Sequence, residues 1–469
     1  MKKSMLAVTA LAAVGLLALA GCNKPVSSTT SGDSGTKAAH HFNVRCWNDE
    51  FQGRFRHYSS LWQKTNDDGT DTLKDGTIVK WIIVENKDNK YQNALDTAIT
   101  GQDAAATDDK IDLFLVEADY AMKYSKQAIA MDVKADVGLT DADLAQQYDY
   151  TKKILTYDGK LKGVSWQATP GLYAYRTDIA DAVLGTHDPD AVQDKISDWT
   201  KFNAVAAQMK AKDYHMLAGK DDSYRTYSNN VTHKWVSNGV CTLDPNIKQW
   251  VKDTKSYADN GYLAGTGTDY ALWGKEWGNQ MSKAGSTFGF FWSTWGINFS
   301  LQGYADPDKA GKATDTNLWG KYRVCKGPQS YYWGGTWMIG AKGSDDVSII
   351  KQTMLDLTSN ATIMKKITTE TQDYTNNMKA MEEIGADTSF GSDFLGGQNH
   401  VKLFTQAAKL INMDYLSAYD QGCNESFQNA MADYFTGKAT YAQAITNFKT
   451  KLSATYSDVT FDTTFDAAL

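Results

Sequence analysis

The stretch that decides the fold is IDLFLVEADY, residues 111–120. Ile111, Leu113, Phe114, Leu115 and Val116 form a near-continuous apolar run, which predicts a strand buried on both faces. Glu117, Asp119 and Tyr120 follow at its C-terminal end, where open α/β sheets receive their ligands. Upstream, Phe42 to Trp47 and Ile78 to Val84 have strand character, with a polar loop at 48–53 and a polar, turn-rich insertion at 66–77. Phe55, Tyr58 and Trp62 recur at helical spacing, as do Tyr91, Leu95 and Ile99 before Gly101. Strand, helix, strand, helix, strand is the order of an α/β fold with parallel strands.

Downstream, Val164–Gln167 and Leu172–Arg176 flank a Thr-Pro-Gly turn, and Tyr173 and Tyr175 share one strand face. A helix is expected over 199–210 with Asp198 as its N-cap, and another over 247–262 stopped by Gly261. Residues 289–296 (GFFWSTWG) and 327–343 (GPQSYYWGGTWMIGAKG) set tryptophans among glycines. The last third is mostly helical, with Thr440 capping the final long helix. No internal repeat with a fixed period is present.

At 469 residues the chain exceeds what one core normally supports, so two lobes are expected. A net charge of −7 argues against a nucleic-acid partner. Tyr (25) and Trp (14) together outnumber Phe (17) more than twofold, a bias toward rings with a polar handle that suit half-wet binding faces. Trp47, Trp166, Trp292, Trp295, Trp333 and Trp337 fall at strand ends or in Gly-flanked loops. Such rings stack on the apolar C–H faces of sugars, while neighbouring Asp, Glu, Asn and Gln bond the hydroxyl rim. The candidate ligand contacts are those residues with Asp49, Glu50, Glu117, Asp119, Tyr120, Gln167, Tyr173, Tyr175 and Tyr331. For any one tryptophan a core role is the alternative, and Glu117 or Asp119 is as well placed to cap the next helix.

Lys2 and Lys3 precede an apolar run that ends in Leu-Ala-Gly-Cys at 19–22. This resembles the lipobox of bacterial lipoproteins and implies cleavage after residue 21 and lipidation of Cys22, which would anchor the exported protein to the outer face of the cell membrane. Residues 22–41 read as a flexible, solvated tether, the adjacent His40 and His41 included. Cys46, Cys241, Cys325 and Cys423 allow three pairings, between which the sequence does not choose. No GxSxG, HExxH, Walker A or strand-borne GxGxxG occurs, so no catalytic residue, cofactor or metal is expected.

The motifs DLFLVEADY, GVSWQATPGLYAYRTDIA, FFWSTWG, YYWGGTWMIGAKGS, LGGQNH and YDQGCNESF resemble the extracellular solute-binding proteins of carbohydrate ABC importers. These form family 1, the group that includes maltose-binding protein. The resemblance implies a two-lobe, periplasmic-binding-protein-like α/β fold of type II, with a mostly parallel sheet in each lobe and a multi-strand hinge. Its boundaries would be 42–163 for the N-terminal lobe, 164–330 for the C-terminal lobe, 331–390 for a return to the first, and 391–469 for helices of the second. It also implies a monomer that binds oligosaccharide, closes, and delivers it to permease subunits. A cell-surface glycoside hydrolase and a peptide or polyamine receptor of the same fold are the competing readings.

Overall fold

The computed structural model describes residues 40–466. The leader at 1–21, Cys22 and the tether up to residue 39 lie outside the described residues. At the other end of the tether the expectation is corrected: His41 already belongs to the strand His41–Cys46, because its register with Ile78–Ile83 starts there. No helix among the described residues is long and apolar enough to cross a membrane.

The decisive stretch forms the strand Leu113–Glu117 inside a seven-stranded sheet. Across that sheet the order is Trp62–Thr65, Asp71–Leu73, Ile78–Ile83, His41–Cys46, Leu113–Glu117, Thr336–Gly340 and Val164–Ser165. Leu113 to Val116 are all buried, as the apolar run requires. The expectation of mostly parallel sheets is corrected in detail. In the seven-stranded sheet, among the described residues, the parallel pairs are those of His41–Cys46 with Ile78–Ile83 and with Leu113–Glu117. The helix Lys90–Gly101 carries the chain over to the second of these, as parallel pairing demands. The remaining strands are antiparallel: the polar insertion is a hairpin on the sheet edge, and Thr336–Gly340 re-enters from the other half of the molecule. The hairpin is pinned by Asp71, a fully buried carboxylate that accepts hydrogen bonds from Arg56, Trp62, Thr65 and Trp81.

The smaller sheet has Gly171–Arg176 at its centre, flanked antiparallel by Gly289–Ser293 and Tyr322–Cys325. The helix Trp199–Lys210 starts at Asp198, whose side chain accepts the Lys201 amide hydrogen, and Pro245–Asn260 ends at Gly261 with φ 68°. Both match the sequence reading. The helices Pro245–Asn260, Asp420–Phe435 and Tyr441–Thr455 enclose a second apolar cluster. The four cysteines among the described residues are free and buried; Cys241 and Cys423 share that cluster, and a thiol hydrogen bond between them helps push the Cys423 pKa up.

The halves are joined where the chain crosses between sheets. It leaves the larger sheet after Ser165, just beyond the expected boundary at 163, and returns through 326–335. The two crossings pair with each other: the Gly171 amide donates to the Tyr331 carbonyl (2.7 Å) and the Trp333 amide to that of Thr169 (3.0 Å). Gln167 bridges to Thr375, which lays a third segment alongside. Gly171 is required here, since a Cβ would sit 2.1 Å from the Tyr331 ring. Gly171→Ala should therefore destabilise the protein by at least about 2 kcal/mol. Gly53→Ala, in a helix with nothing within 4 Å of the added carbon, should be neutral or stabilising by up to about 1 kcal/mol. Urea unfolding of both variants checks this, and equal effects would contradict the tight crossing.

Candidate ligand-binding site

The end of Leu113–Glu117 turns directly into the helix Ala118–Ser125. Glu117 caps that helix, accepting the Asp119 amide hydrogen at 2.8 Å. Asp119, in the first turn, receives both terminal nitrogens of Arg225 at 2.8 and 2.6 Å. Arg225 belongs to the short helix Tyr224–Ser228, which packs on Pro245–Asn260 in the second cluster. One bidentate pair thus joins residues about a hundred positions apart, with the fork geometry that favours Arg. Burial, then the adjacent Asp119 charge, raises the Glu117 pKa to about 8. The Arg225 guanidinium overcomes desolvation and holds Asp119 below the usual carboxylate range. Two adjacent carboxyls are thus pushed in opposite directions, Glu117 toward its neutral form and Asp119 toward its anion.

Arg225 also lies 5.3 Å over the ring of Trp333. Trp333 stacks on Trp292, with centroids 5.3 Å apart and planes 3° off parallel, and meets Trp295 edge-on. The Trp295 indole nitrogen donates to the Trp333 carbonyl at 2.9 Å. This approach needs Gly334, whose φ is 73° and whose Cβ would fall 2.8 Å from that nitrogen. Trp273 completes the cluster, nearly parallel to Trp295 at 6.1 Å. It is 55% exposed and sits at φ 70°, a region non-glycine residues avoid at a cost of about 1–2 kcal/mol. Phe299, on the segment after Trp295, is 78% exposed.

A cavity of about 130 Å³ opens beside the ion pair, lined by Asp119, Arg225, Asn229, Tyr332, Ser417 and Asp420 among others. A second, of about 80 Å³, shares Asp119, Arg225 and Asn424 with it. A further polar cluster lies where the crossings meet the helix Glu50–Tyr58. The Gln167 amide donates to Glu50 (3.2 Å) and Asp373 (3.0 Å), and Thr294 donates to Asp373 (2.6 Å). Arg54 lies 5.1 Å over Trp166 and near both carboxylates. Burial and the Asp373 charge raise the Glu50 pKa to about 7. Tyr120 Oη, Arg54 Nε, Trp166 Nε1, Trp292 Nε1 and Ser293 Oγ are buried with no hydrogen-bond partner.

Of the residues singled out by sequence, Glu117, Asp119, Trp292, Trp295 and Trp333 come together around Arg225. Glu50, Trp166 and Gln167 form the second cluster. Trp47 is half-buried, edge-on to Tyr91 and Tyr120, and Asp49 is exposed before the helix Glu50–Tyr58. Six are fully buried core side chains: Trp166 and Trp292, although they touch these clusters, and with them Tyr173, Tyr175, Tyr331 and Trp337; Tyr120 is buried as well, packed against Trp47 and Tyr124. Tyr173 and Tyr175 lie inside the smaller sheet, their hydroxyls donating to the carbonyls of Met216 and His187. Tyr331 packs on Gly171 and donates to the Leu172 carbonyl, and Trp337 donates to that of Thr151. Sequence reasoning missed Arg225, Trp273 and Asp373. The polar-aromatic run 221–235 and the Trp-Gly at 273–274 carried signals, but only the fold shows which rings face outward.

No protein-family profile matches the chain, and no curated protein sequence does. Solved structures do. A crystal structure of an extracellular solute-binding protein of family 1 aligns with a TM-score of 0.66 at 16% identity, over 88% of this chain and 100% of its own. The chain has the solute-binding-protein fold. The binding protein of an ABC transporter from B. animalis subsp. lactis, in complex with beta-1,6-galactobiose, aligns at 0.63 and 16% identity over 90% and 100%. An ABC substrate-binding protein from Listeria monocytogenes, in complex with cycloalternan, aligns at 0.60 and 12% over 89% and 99%.

The raised Glu117 pKa makes stability depend on pH. Between about pH 4.5 and about 8 the folded state keeps a proton that the unfolded chain has released. The contribution of Glu117 is fully present below that window and lost as pH rises through it. Relative to Glu117→Gln, the wild type should lose stability between about pH 4.5 and about pH 8 in urea unfolding, with no further loss above that. A pH-independent difference would show that Glu117 is ionised throughout.

Proposed function

We propose that the protein is an exported carbohydrate-binding receptor, anchored through Cys22, that hands an oligosaccharide to the permease of an ABC importer. Its lobes would be 42–163 with 331–390, and 164–330 with 391–469, save that Val164 and Ser165 pair in the larger sheet. The observation that carries the reading is Trp273. An exposed indole held in a strained backbone conformation, above Trp295 and within ring contact of Trp333, is a surface prepared for stacking. The ion pair and the amides of the adjoining cavities supply charged and neutral hydrogen-bonding groups for hydroxyls. The bound saccharides of two structural neighbours agree with this chemistry. A cationic cargo has less support, since Asp119 is already neutralised by Arg225.

Isothermal titration against galacto- and malto-oligosaccharides tests the proposal. Trp273→Gly should weaken the saccharide bound by the wild type at least tenfold, about 1.4 kcal/mol. It should leave the melting temperature within about 4 °C, because the ring is half exposed and glycine relieves the strain. Unchanged affinity would remove Trp273 from the site.

One observation favours the glycosidase reading: Glu117 and Asp119 have opposite pKa shifts, as an acid and an anionic partner require. Against it, Glu117 is engaged as a helix cap and Asp119 is locked by Arg225. Chromatography of oligosaccharide after prolonged incubation should recover it intact. Time-dependent cleavage abolished in Glu117→Gln would establish the enzyme instead.

A further inference from the structure

His40 stands where the chain enters the larger sheet, and both of its ring nitrogens face carboxylates. Nδ1 lies 3.1 Å from Asp108 and Nε2 lies 2.9 Å from Asp346. A neutral imidazole carries one N–H, so only one of these contacts is then an ordinary hydrogen bond. The other sets a lone pair against a carboxylate oxygen unless a second proton or a cation lies there. Ligand atoms of His40, Asp345 and Asp346 lie within 4.8 Å of one another. The Asp346 side chain is only 8% exposed, and its Oδ2 is buried with no hydrogen-bond partner. Asp75, Asp112 and Asp345 add negative charge around it, and the His40 ring is hydrogen-bonded to it.

We propose that His40 Nε2, Asp345 and Asp346 form a binding site for a divalent transition-metal ion of the Zn²⁺ class, contrary to the metal-free expectation from sequence. The Nδ1–H donates to Asp108, which fixes the tautomer and turns the Nε2 lone pair toward Asp346. That carboxylate–histidine–metal arrangement is the usual support of a ligating imidazole. Tetrahedral ligands each about 2.1 Å from one ion lie about 3.4 Å apart, so the 2.9 Å between Nε2 and the Asp346 oxygen, a hydrogen-bond distance, would open by about 0.5 Å as the ion enters. One nitrogen with two carboxylates suits Zn²⁺; Ca²⁺ takes oxygen ligands only. The ion would tie the entry to His41–Cys46 to the loop that follows Thr336–Gly340, and so clamp the start of the fold to the strand that returns from the other half.

The test is calorimetric titration of the tag-free, chelator-treated protein with ZnCl₂ at neutral pH, with CaCl₂ in parallel. One site should fill with a Kd of about 10 μM or tighter, and His40→Ala and Asp346→Asn should each weaken it at least about tenfold. Asp108→Asn, which leaves all three ligands in place, should weaken it by a smaller factor. His187→Ala removes another His–Asp contact and should change nothing. Zn²⁺ should also raise the melting temperature of the wild type and not that of His40→Ala. His40→Gln gives a second variant should the alanine change impair folding. No saturable Zn²⁺ binding would overturn the proposal and leave His40 a protonated ion-pair partner. So would binding that survives in His40→Ala, or Ca²⁺ binding in place of Zn²⁺, either of which marks a purely acidic patch.

Discussion

The structure depends on the pairing of two crossing segments, 165–171 and 331–336. The hydrogen bonds from Gly171 to Tyr331 and from Trp333 to Thr169 make the two connections between sheets a single narrow ribbon. A few paired segments between two bodies are the kind of connection through which ligand receptors close by hinge motion, and the closure proposed for this protein would work through this ribbon. Gly171, Gly334 and Gly335 are placed where a side chain would force these backbones and their rings apart.

The candidate site follows from that constraint. The crossing that carries Trp333 brings it against Trp292 and Trp295 at the end of the smaller sheet, while the larger sheet delivers Glu117 and Asp119 from its own strand end. Arg225 lies between them, paired with a carboxylate and over an indole. In a partly dry space such a pair is worth more than on an open surface, and its opening exposes both charges again. Under the proposed function, a ligand entering between the halves would have to compete with this contact or complete it, and its occupancy would then bias the angle between the sheets.

Much of the fold was legible because its signals are local. The apolar run 111–116, the cap at Asp198, the stop at Gly261 and the cap at Thr440 each depend on residues close by in sequence. The antiparallel strands were not, since Thr336–Gly340 finds Leu113–Glu117 across more than two hundred residues and no periodicity encodes direction. The site was half legible for a similar reason. Residue type identified Asp119 and Trp333, but Tyr173, Tyr331 and Trp337 have the same aromatic character and fill the core. Trp273 and Arg225 gained their places through backbone conformation and a long-range partner, neither of which sequence displays. His40 read as part of a polar tether until the strand pairing set it beside Asp346.

The most direct test of the account is hydrogen exchange, followed by mass spectrometry, with and without saturating oligosaccharide. The central claim is that ligand sits between the two sheets and touches both. It predicts slowed exchange together at 117–122, 224–230, 271–274 and 331–335. Protection confined to one half of the molecule, or no protection with any galacto- or malto-oligosaccharide, would contradict it.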